Sequence, residues 1–308
     1  MNLLVTGAWQ GAKEHIGEIE KLGHRVVFLQ QEKEELPVKE EWVEGVICNG
    51  LFLHHPIEHF VNLKYIQLTS AGFDRVDLNY VKEKRITINN ARGVYSIPMA
   101  EFVLARVLEQ YKRLDTFREQ QKEKMWNKLR DLQELFDKRV LIIGCGSVGT
   151  ECAKRFKAFE CEVVGVDVIP RVDDSYSRMV GLEMLDEQLA DADVIVLTLP
   201  LTDETRGLID GKRLNLIKKN SILVNIARGA IIDRKALEEW DGIAILDVFE
   251  EEPLEASSLL WKKEGNLISP HNSFIGENNN NRLSNVIIRN LKEVQIEVTN
   301  ERIETNIG

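Results

Sequence analysis

The sequence is short of the features that mark metal-binding, secreted and membrane proteins. It has 4 cysteines and 7 prolines in 308 residues, and Cys48, Cys145, Cys152 and Cys161 show no Cys-x-x-Cys spacing. They therefore predict reduced thiols in the core and no metal site. Residues 1–7 lack the basic region and the long apolar stretch of a signal peptide. No run approaches the roughly 20 apolar residues that a membrane span needs, so we expect a cytoplasmic protein.

Positive charge is also in short supply. The chain has 40 lysines and arginines against 50 aspartates and glutamates, a formal net charge of −10, and no basic patch. This balance argues against nucleic acid and anionic membrane surfaces as partners. With 44% apolar and 29% charged residues, the composition is that of a globular protein. The length leaves room for two domains, each with its own core.

The most informative stretch is a short apolar run that ends on a glycine motif. Residues 139–143 lead into Gly144-Cys145-Gly146-Ser147-Val148-Gly149, and a segment of helical composition follows from Glu151 to Ala158. In a dinucleotide-binding loop the first glycine permits the tight turn, the second lets the backbone approach the pyrophosphate, and the third lets helix and strand pack closely. The phosphates would lie at the helix N-terminus, where free N–H groups and the helix dipole favour an anion.

A second apolar run, Cys161 to Val166, closes on Asp167. An acid at this point accepts hydrogen bonds from the adenosine ribose hydroxyls and repels a 2′-phosphate, which predicts NAD rather than NADP. A glycine motif alone often marks only a tight turn. The strand, helix, second strand and terminal acid in register favour the cofactor over that alternative.

Apolar runs alternate with amphipathic segments along most of the chain, which predicts an α/β fold with parallel sheets covered by helices on both faces. In the first part we predict strands at Leu3–Val5, Val26–Leu29, Val46–Cys48, Tyr65–Leu68 and Ile86–Ile88, with intervening segments at Ala12–Leu22, Ile57–Leu63 and Val76–Lys84. In the second part we predict six strands, at Val140–Ile143, Glu162–Val166, Val194–Leu197, Ile222–Asn225, Ile243–Leu246 and Leu267–Ile268. Six strands fit a complete dinucleotide fold.

Helical segments connect and follow these two parts. Pro98 suits the first turn of a long helix, and the composition is helical from Ala100 to about Lys122. The charged stretch from Tyr111 to Lys138, with Trp126, Leu132 and Leu135 as apolar anchors, predicts an exposed arm, a dimer contact or a plain solvated helix. A terminal helix is predicted over Asn281–Glu297, preceded by capping asparagines, and we expect it to return to the first domain.

Three chemically useful side chains follow successive predicted strands of the second part. They are Arg228, Glu252 and His271, and the carboxyl ends of parallel strands meet at one edge of a sheet. An arginine binds a carboxylate or polarises a carbonyl. A histidine exchanges a proton near neutral pH, and a carboxylate on its other ring nitrogen fixes the tautomer. This set is what hydride transfer on a 2-hydroxy acid requires. Taken singly, each has a structural reading as a salt-bridge partner, a structural histidine or part of a solvated acidic run.

The chain resembles the D-isomer-specific 2-hydroxyacid dehydrogenases over most of its length. The matching motifs are Ser70-Ala71-Gly72-Phe73-Asp74, Asn89-Asn90-Ala91-Arg92-Gly93-Val94, Ser96-Ile97-Pro98-Met99-Ala100-Glu101, Leu199-Pro200-Leu201-Thr202-Asp203-Glu204-Thr205, Asn225-Ile226-Ala227-Arg228-Gly229, Leu246-Asp247-Val248-Phe249-Glu250-Glu251-Glu252-Pro253 and Ser269-Pro270-His271. The family's catalytic glutamate directly precedes the proline, which singles out Glu252 among the acidic neighbours.

The resemblance implies a flavodoxin-like substrate domain, residues 1–96 with 275–308, into which a Rossmann NAD-binding domain, residues 97–274, is inserted. It implies a catalytic triad of Arg228, Glu252 and His271. The cofactor contacts that follow from it and from the glycine motif are Gly144, Gly146, Ser147, Val148, Gly149, Asp167, Leu199, Pro200, Thr205, Ile226, Ala227, Arg228, Asp247 and His271. The expected substrate contacts are Asn49, Ala71, Gly72 and Arg228. The resemblance further implies a cleft that closes on substrate and a homodimer built on the cofactor domains.

Two departures and one alternative qualify this resemblance. Phe274 stands where the family commonly has small residues, and it could reshape the pocket. The formate-oxidising branch pairs its histidine with glutamine, so Glu252 speaks against formate. Some relatives use the same fold as an NAD(H)-sensing co-repressor, which stays open as a second function class. We expect no additional regulatory domain after residue 308.

The substrate side chain is left open by the sequence. Asn49, Gly50, Leu51 and Phe52 could face the cleft, as could Trp9, although an aromatic after a strand more often packs against a helix. No cluster of lysine and arginine calls for a phosphate. Arg92 is a spare cation or a structural ion pair. Glyoxylate, pyruvate, hydroxypyruvate and branched 2-oxo acids all remain candidates.

Overall fold

The computed structural model describes the backbone of residues 1–307 and the side chains of residues 1–294. The chain divides into two compact units. The first unit comprises Met1–Tyr95 and the segment that begins at Gly276, and the second comprises Ser96–Ile275.

The first unit is built on a sheet of five parallel strands. In chain order these are β1 (Asn2–Thr6), β2 (Arg25–Leu29), β3 (Gly45–Cys48), β4 (Tyr65–Leu68) and β5 (Thr87–Asn89). The strand order is β2-β1-β3-β4-β5, and every pairing is parallel. The helices are α1 (Ala12–Lys21), α2 (Leu78–Glu83) and the terminal helix α9 (Asn279–Ile307).

Strands β3 and β4 are buried at every position, as expected for a sheet covered on both faces. One apolar cluster joins the sheet to α1 and α9 through Ile19, Leu283 and Ile287. A second cluster on Leu4, Val46 and their neighbours fills the space on the other face. The apolar stripe of α9 therefore has its partner within the first unit, as the sequence predicts.

The second unit is built on seven parallel strands. They are β6 (Arg139–Ile143), β7 (Glu162–Val166), β8 (Arg178–Val180), β9 (Val194–Leu197), β10 (Ile222–Asn225), β11 (Ile243–Leu246) and β12 (Asn266–Ile268), in the order β12-β11-β10-β9-β6-β7-β8. The helices are α3 (Ser96–Lys112), α4 (Leu114–Lys122), α5 (Ser147–Ala158), α6 (Leu185–Asp191), α7 (Gly211–Leu214) and α8 (Arg234–Glu239). The prediction of an α/β fold with two doubly wound parallel sheets is thus confirmed.

The predicted number of strands in the second sheet is wrong by one. The missed strand, β8, is three residues long and pairs only through Val164–Val166 at the edge of the sheet. Its burial pattern is exposed, intermediate, intermediate, so it carries no continuous apolar run that could reveal it.

Two helix predictions also need correction. The segment Ile57–Leu63 forms only a 3₁₀ turn over Ile57–His59, and Leu63 is held by a bond from its N–H to the Phe60 carbonyl. The long helix after Pro98 is interrupted at Arg113, whose φ of 48° lies in the left-handed region. No glycine or proline marks this break, and a positive φ is uncommon for an arginine, so the sequence does not reveal it. In the following stretch Leu135 is buried, but Trp126 is 93% exposed and does not anchor the segment.

Trp9 lies in the core of the first unit. Its side chain is fully buried, its Nε1 donates to Ser284 Oγ of α9 at 2.9 Å, and its ring stacks on His15. Of the two readings of this residue, packing against a helix is the one the structure supports.

The four cysteines are buried free thiols. Burial raises the pKa of Cys152 to about 12, which keeps this thiol protonated and unreactive.

We predict that His24 makes the fold sensitive to mild acid. Its ring is buried beside the Met1 amino nitrogen, 3.3 Å from Nδ1, and burial lowers its pKa from 6.5 to about 4. The folded state favours the neutral ring, so this contribution to stability is complete above pH 6.5 and is lost as pH falls toward 4. Between pH 7 and pH 5, His24→Leu should lose less free energy of unfolding than the wild type, by on the order of 1 kcal/mol. Urea titrations measure this, with the exposed His59→Leu as control; parallel losses in both chains would contradict the prediction.

Candidate active site

The glycine motif forms the turn between β6 and α5. Gly144 has a φ of +94°, and a Cβ there would lie 2.7 Å from the Leu199 nitrogen. A Cβ at Gly149 would lie 2.3 Å from the Gly144 carbonyl oxygen, so helix and strand could not approach as they do. At Gly146 a Cβ would meet nothing within 4 Å. The first and third glycines thus serve the turn and the packing, whereas the second keeps the outer surface of the loop bare.

This bare surface fits a dinucleotide. It lies at the N-terminus of α5, a helix of 12 residues that begins at Ser147, where the first backbone N–H groups have no partner within the helix. Ser147 and Val148 are partly exposed there. A pyrophosphate would find oriented N–H groups and the positive end of the helix dipole. Gly146 and its neighbours are therefore suited to hold the phosphates of NAD.

Asp167, at the end of β7, lies beside this loop. Its Oδ2 accepts a 2.6 Å hydrogen bond from the Cys145 N–H, and its Oδ1 accepts from the Ile169 N–H at 3.2 Å. Arg171 binds the same residue on its carbonyl side, because its Nη2 donates to the Cys145 carbonyl at 2.7 Å. The carboxylate of Asp167 is thus held directly against the glycine loop. The guanidinium of Arg171 is a contact that the motifs did not predict.

The loop after β9 closes on itself through Thr205. Its hydroxyl donates to the Pro200 carbonyl at 2.7 Å and accepts from the Thr202 N–H at 2.8 Å. Leu199 is buried against Gly144, whereas Pro200 is exposed. Thr205 therefore stabilises the loop by hydrogen bonds within it, and Leu199 packs against the glycine turn.

Strands β10, β11 and β12 are neighbours, so the loops that follow them lie side by side. Ile226 and Ala227 have buried side chains, and the Asn225 side chain ties the turn by accepting from the Ala227 N–H and donating to the Arg228 carbonyl. Arg228 is partly exposed, and its Nη1 also donates to the Ala227 carbonyl at 2.8 Å. The guanidinium is thus braced against its own loop.

His271 and Glu252 form a hydrogen-bonded pair. His271 Nδ1 lies 2.8 Å from Glu252 Oε2, and the two side chains are 39% and 36% exposed. The other carboxylate oxygen of Glu252 accepts from the Phe249 N–H at 3.0 Å, which fixes the carboxylate plane. A hydrogen bond from Nδ1–H to a carboxylate leaves Nε2 as the nitrogen that can exchange a proton with a ligand. The ring of Phe274 lies edge-on to the ring of His271, with the two centroids 5.9 Å apart.

The backbone that presents His271 is held by Asp247, which is fully buried. Asp247 Oδ1 accepts from Ser269 Oγ at 2.6 Å and the Asn272 N–H at 2.8 Å, and Oδ2 accepts from the Ser273 N–H at 2.9 Å. Its carbonyl accepts from the His271 N–H at 2.8 Å. His271 itself has a φ of 50°, a left-handed conformation that costs energy for a side chain with a Cβ. Asp247 therefore pins a strained loop, in addition to any part it takes in binding a cofactor.

The predicted substrate residues of the first unit follow β3 and β4. Ala71 and Gly72 lie in an exposed turn in which the Ser70 hydroxyl donates to the Gly72 carbonyl and the Asn90 amide to the Ala71 carbonyl. Among the described residues, the N–H groups of Ala71 and Gly72 have no acceptor. Asn49 is different, because its N–H is bonded to Glu32. Arg92 is exposed and forms no ion pair within residues 1–294.

Sequence reasoning missed Glu32, which binds the loop of Asn49, and Arg171, which binds the glycine loop. Both are charged side chains in polar stretches, and both act on backbone groups of a distant strand end. No spacing rule identifies such contacts. Within residues 1–294 the structure contains no group of three histidine, cysteine, aspartate or glutamate side chains suited to a metal ion. In the same part of the chain, none of the helices combines the length and apolarity required to cross a membrane.

Comparison with known proteins identifies the family. The family model for the NAD binding domain of the D-isomer specific 2-hydroxyacid dehydrogenases matches residues 104–273. These residues contain the glycine loop, Asp167, Arg228, Glu252 and His271. The chain belongs to the D-isomer-specific 2-hydroxyacid dehydrogenases, and its second unit carries the family's NAD-binding fold.

Individual relatives extend the likeness to the first unit. The chain is 33% identical over 293 residues to D-3-phosphoglycerate dehydrogenase of Methanocaldococcus jannaschii, covering 91% of this chain and 54% of that protein. It is 32% identical to glyoxylate reductase of Thermofilum pendens, over 75% of this chain and 71% of that one. A family member from Aeromonas salmonicida subsp. salmonicida has a similar crystal structure, with a TM-score of 0.81, 29% identity and coverage of 94% and 93%. The chain thus spans about half the length of the Methanocaldococcus relative.

Substitutions at Gly146 and Gly149 should separate cofactor binding from folding. Gly146→Ala places its methyl group on the open surface of the loop, so the thermal unfolding temperature should stay within about 2 °C while NADH affinity falls at least about tenfold. Gly149→Ala drives a methyl group to 2.3 Å from the Gly144 oxygen, so it should lower the unfolding temperature by several degrees. Calorimetric melting and quenching of protein fluorescence by NADH measure the two effects. Equal losses of stability in both variants would refute the assignment.

Proposed function

We propose that this protein is an NAD-dependent oxidoreductase that interconverts a D-2-hydroxy acid and its 2-oxo acid. The observation that carries the proposal is the 2.8 Å contact between His271 Nδ1 and Glu252 Oε2. This pair follows neighbouring strands of an NAD-binding domain whose glycine loop is open to a dinucleotide. We assign the first unit to the substrate and the second to the cofactor, with residues 1–96 and 275–308 as the substrate domain and 97–274 as the cofactor domain.

His271 is the proposed general acid and base. In reduction, protonated His271 donates the Nε2 proton to the carbonyl oxygen of the 2-oxo acid as the carbonyl carbon receives a hydride. In oxidation the neutral ring takes the hydroxyl proton back. Glu252 holds the Nδ1–H and stabilises the imidazolium, so that the ring keeps one orientation and one tautomer in both directions. Phe274 lies edge-on to the same ring.

Arg228 is the proposed anchor of the substrate. Its guanidinium offers paired donors that match the carboxylate of a 2-hydroxy acid or polarise the carbonyl oxygen. The N–H groups of Ala71 and Gly72 would donate hydrogen bonds to the substrate carboxylate and so orient the substrate. Asn49 completes the proposed substrate contacts.

The cofactor, when bound, would supply the hydride as NADH in reduction and accept it as NAD⁺ in oxidation. Gly144, Gly146 and Gly149, with Ser147 and Val148, would hold its phosphates. Asp167 would receive the ribose hydroxyls and favour NADH over NADPH. The loops at Leu199, Pro200 and Thr205, at Ile226, Ala227 and Arg228, and at Asp247 and His271 would line the remainder of the cofactor.

Two considerations bear on the class of substrate and on the alternative function. The relatives include glyoxylate reductases, D-3-phosphoglycerate dehydrogenases and an (S)-sulfolactate dehydrogenase, so small 2-oxo acids are the substrates to test first. Glu252 supplies a carboxylate where formate oxidation would need glutamine. An NAD(H)-sensing binding protein of the co-repressor type is the second candidate, because that branch keeps the same triad; loss of turnover with retained NADH binding would favour it.

We predict that His271→Gln lowers kcat for 2-oxo acid reduction by about three orders of magnitude with little effect on NADH binding, because glutamine fills the space without exchanging a proton. Glu252→Gln should lower kcat by one to two orders of magnitude, since the amide cannot stabilise the imidazolium. NADH oxidation followed by absorbance on glyoxylate, pyruvate, hydroxypyruvate and a branched 2-oxo acid measures this.

Glu251→Gln is the matched control, because this exposed neighbour removes the same charge without touching His271. NADPH run in parallel should give much weaker turnover if Asp167 selects the cofactor. Turnover that survives in His271→Gln would reject the mechanism. No turnover on any acid, with tight NADH binding, would promote the cofactor-sensing function.

We further propose a homodimer formed through the segment that follows α3. Leu114, Phe117, Met125, Trp126 and Phe136 expose 37–93% of their surface there. This is an unusual collection of large apolar groups on one stretch.

Trp126→Glu with Phe136→Glu should shift the molecular mass in light scattering from that of two chains to that of one chain of 35.3 kDa. Leu53→Glu with Val61→Glu, two exposed apolar residues of the first unit, is the control. A wild-type chain that elutes as a monomer would contradict the proposal.

A further inference from the structure

Glu32 occupies the end of the first sheet at the point where ligands of such sheets bind. It follows β2, and its contacts reach Thr6 at the end of β1 and Asn49 directly after β3. In the order β2-β1-β3-β4-β5, strand β1 has β2 on one side and β3 on the other. The chain passes from β1 to β2 first and then crosses to β3 on the opposite side of β1. This topological switch point is the usual ligand position in open parallel sheets.

The carboxylate of Glu32 is bound as an anion would be bound. Oε1 accepts from the Asn49 N–H at 2.6 Å and from the Thr6 hydroxyl at 2.8 Å, and Oε2 accepts from the Gly50 N–H at 2.7 Å. Two successive N–H groups directed at one anion make an anion-binding concavity, and bonds this short are charge-assisted. The protein's own side chain therefore fills a site that could otherwise take an acidic group of a ligand.

The surroundings keep Glu32 in this place. The segment after β2 passes so close to the loop after β1 that a Cβ at Gly7 would lie 2.3 Å from the Gln30 carbonyl oxygen. On its other side, His55 Nε2 lies 3.0 Å from the Glu32 carbonyl oxygen. A backbone held on both sides gives the carboxylate one position, next to Thr6 and Asn49.

Two neighbouring polar groups define what this position offers to a ligand. Asn49 Oδ1 is buried and has no hydrogen-bond partner among the described residues, so it is an acceptor that a donor on a ligand could satisfy. Arg75 lies close to this loop, because its Cδ is 3.7 Å from the position of a Cβ on Gly50. Arg75 makes no ion pair with Glu32 within 4.0 Å among the described residues. The position therefore presents a carboxylate and an amide oxygen to a ligand, whereas the N–H groups of Asn49 and Gly50 are already bonded to Glu32.

The next loop offers the opposite chemistry. The N–H groups of Ala71 and Gly72, after β4, have no acceptor among the described residues. A 2-oxo acid has its carboxylate on one side of the carbonyl and its variable substituent on the other. With the carboxylate on the open N–H groups after β4, the substituent would face the neighbouring loop after β3, where Glu32 and Asn49 lie.

From these contacts we infer that Glu32 sets the charge class of the substrate. It favours 2-oxo acids whose C3 substituent is uncharged and donates a hydrogen bond, such as a hydroxyl, and it rejects substituents that carry phosphate or sulfonate. The inference rests on the proposed function and refines it, because the same site would otherwise admit both kinds of acid. Like charges that meet in a partly buried site disfavour binding strongly.

The test compares hydroxypyruvate with its O-phosphate, two acids that differ only in the charged group. For the wild type, kcat/KM should be at least about 100-fold higher for hydroxypyruvate, and rising ionic strength should narrow the difference. Glu32→Gln should reduce the discrimination at least about tenfold. Glu35→Gln, an exposed side chain of the same segment, removes the same charge away from the site and should leave the ratio unchanged.

Two controls separate the charge of Glu32 from its effect on folding, and binding from turnover. Glu32→Asp keeps the charge and should keep the discrimination even where its melting temperature falls. Calorimetric titration of D-glycerate and 3-phospho-D-glycerate into the NADH complex reads the same preference without turnover. Discrimination in binding with no turnover would count against the proposed function alone.

Three results would overturn the role of Glu32. They are an unchanged ratio in Glu32→Gln, failure of both ligands to bind, and a wild-type preference for the phosphorylated acid. If that preference disappears in Arg75→Gln, Arg75 is an anion-binding residue and Glu32 is only structural.

Discussion

The buried carboxylate of Asp247 is the constraint on which the geometry of the second unit depends. Its oxygens accept hydrogen bonds from Ser269, Asn272 and Ser273, and its carbonyl accepts from the His271 N–H. Without these acceptors three donors would lose their partner, and the buried one, the Ser273 N–H, would cost about 1–3 kcal/mol. The left-handed backbone of His271 could not persist without such support. The position of the imidazole is thus a consequence of a carboxylate that lies 24 residues earlier in the chain, at the end of β11.

The first unit uses the same device with a different result. In both sheets a parallel strand ends, the chain turns, and backbone N–H groups at the turn need acceptors because the next strand offers none. Asp247, which directly follows β11, supplies the acceptors for the loop after the neighbouring strand β12, and its side chain is fully buried. Glu32, in the loop after β2, supplies the acceptors for the loop after β3 and stays partly exposed. The buried carboxylate of Asp247 organises the loop around it, whereas the partly exposed carboxylate of Glu32 also contributes its charge to a ligand that binds beside it.

Much of the fold could be predicted from the sequence because its strands are buried on both faces. Four strands of the second unit, such as Glu162–Val166 and Val194–Leu197, have the bounds that the apolar runs indicate. The failures share a physical origin. The edge strand Arg178–Val180 lacks an apolar run, and the break at Arg113 has no local cause in glycine or proline. Periodicity reports burial, so it does not detect elements that tertiary contacts impose on polar residues.

The candidate site shows the same division between local and distant causes. The glycine turn could be predicted because its three glycines lie at fixed spacing within one strand, turn and helix. Gly144 has a positive φ, Gly149 has no room for a Cβ, and Gly146 leaves the surface of the loop open. The alignment of Arg228, Glu252 and His271 on neighbouring strands followed from the rule that parallel strands end at one edge. Glu32 could not be found in this way, because it acts on Asn49 and Gly50 from 17 and 18 residues away through backbone groups that carry no sequence identity. A family that keeps its reaction chemistry in motifs and varies its substrate through such contacts will look uniform in sequence at the catalytic residues while differing in the acids it accepts.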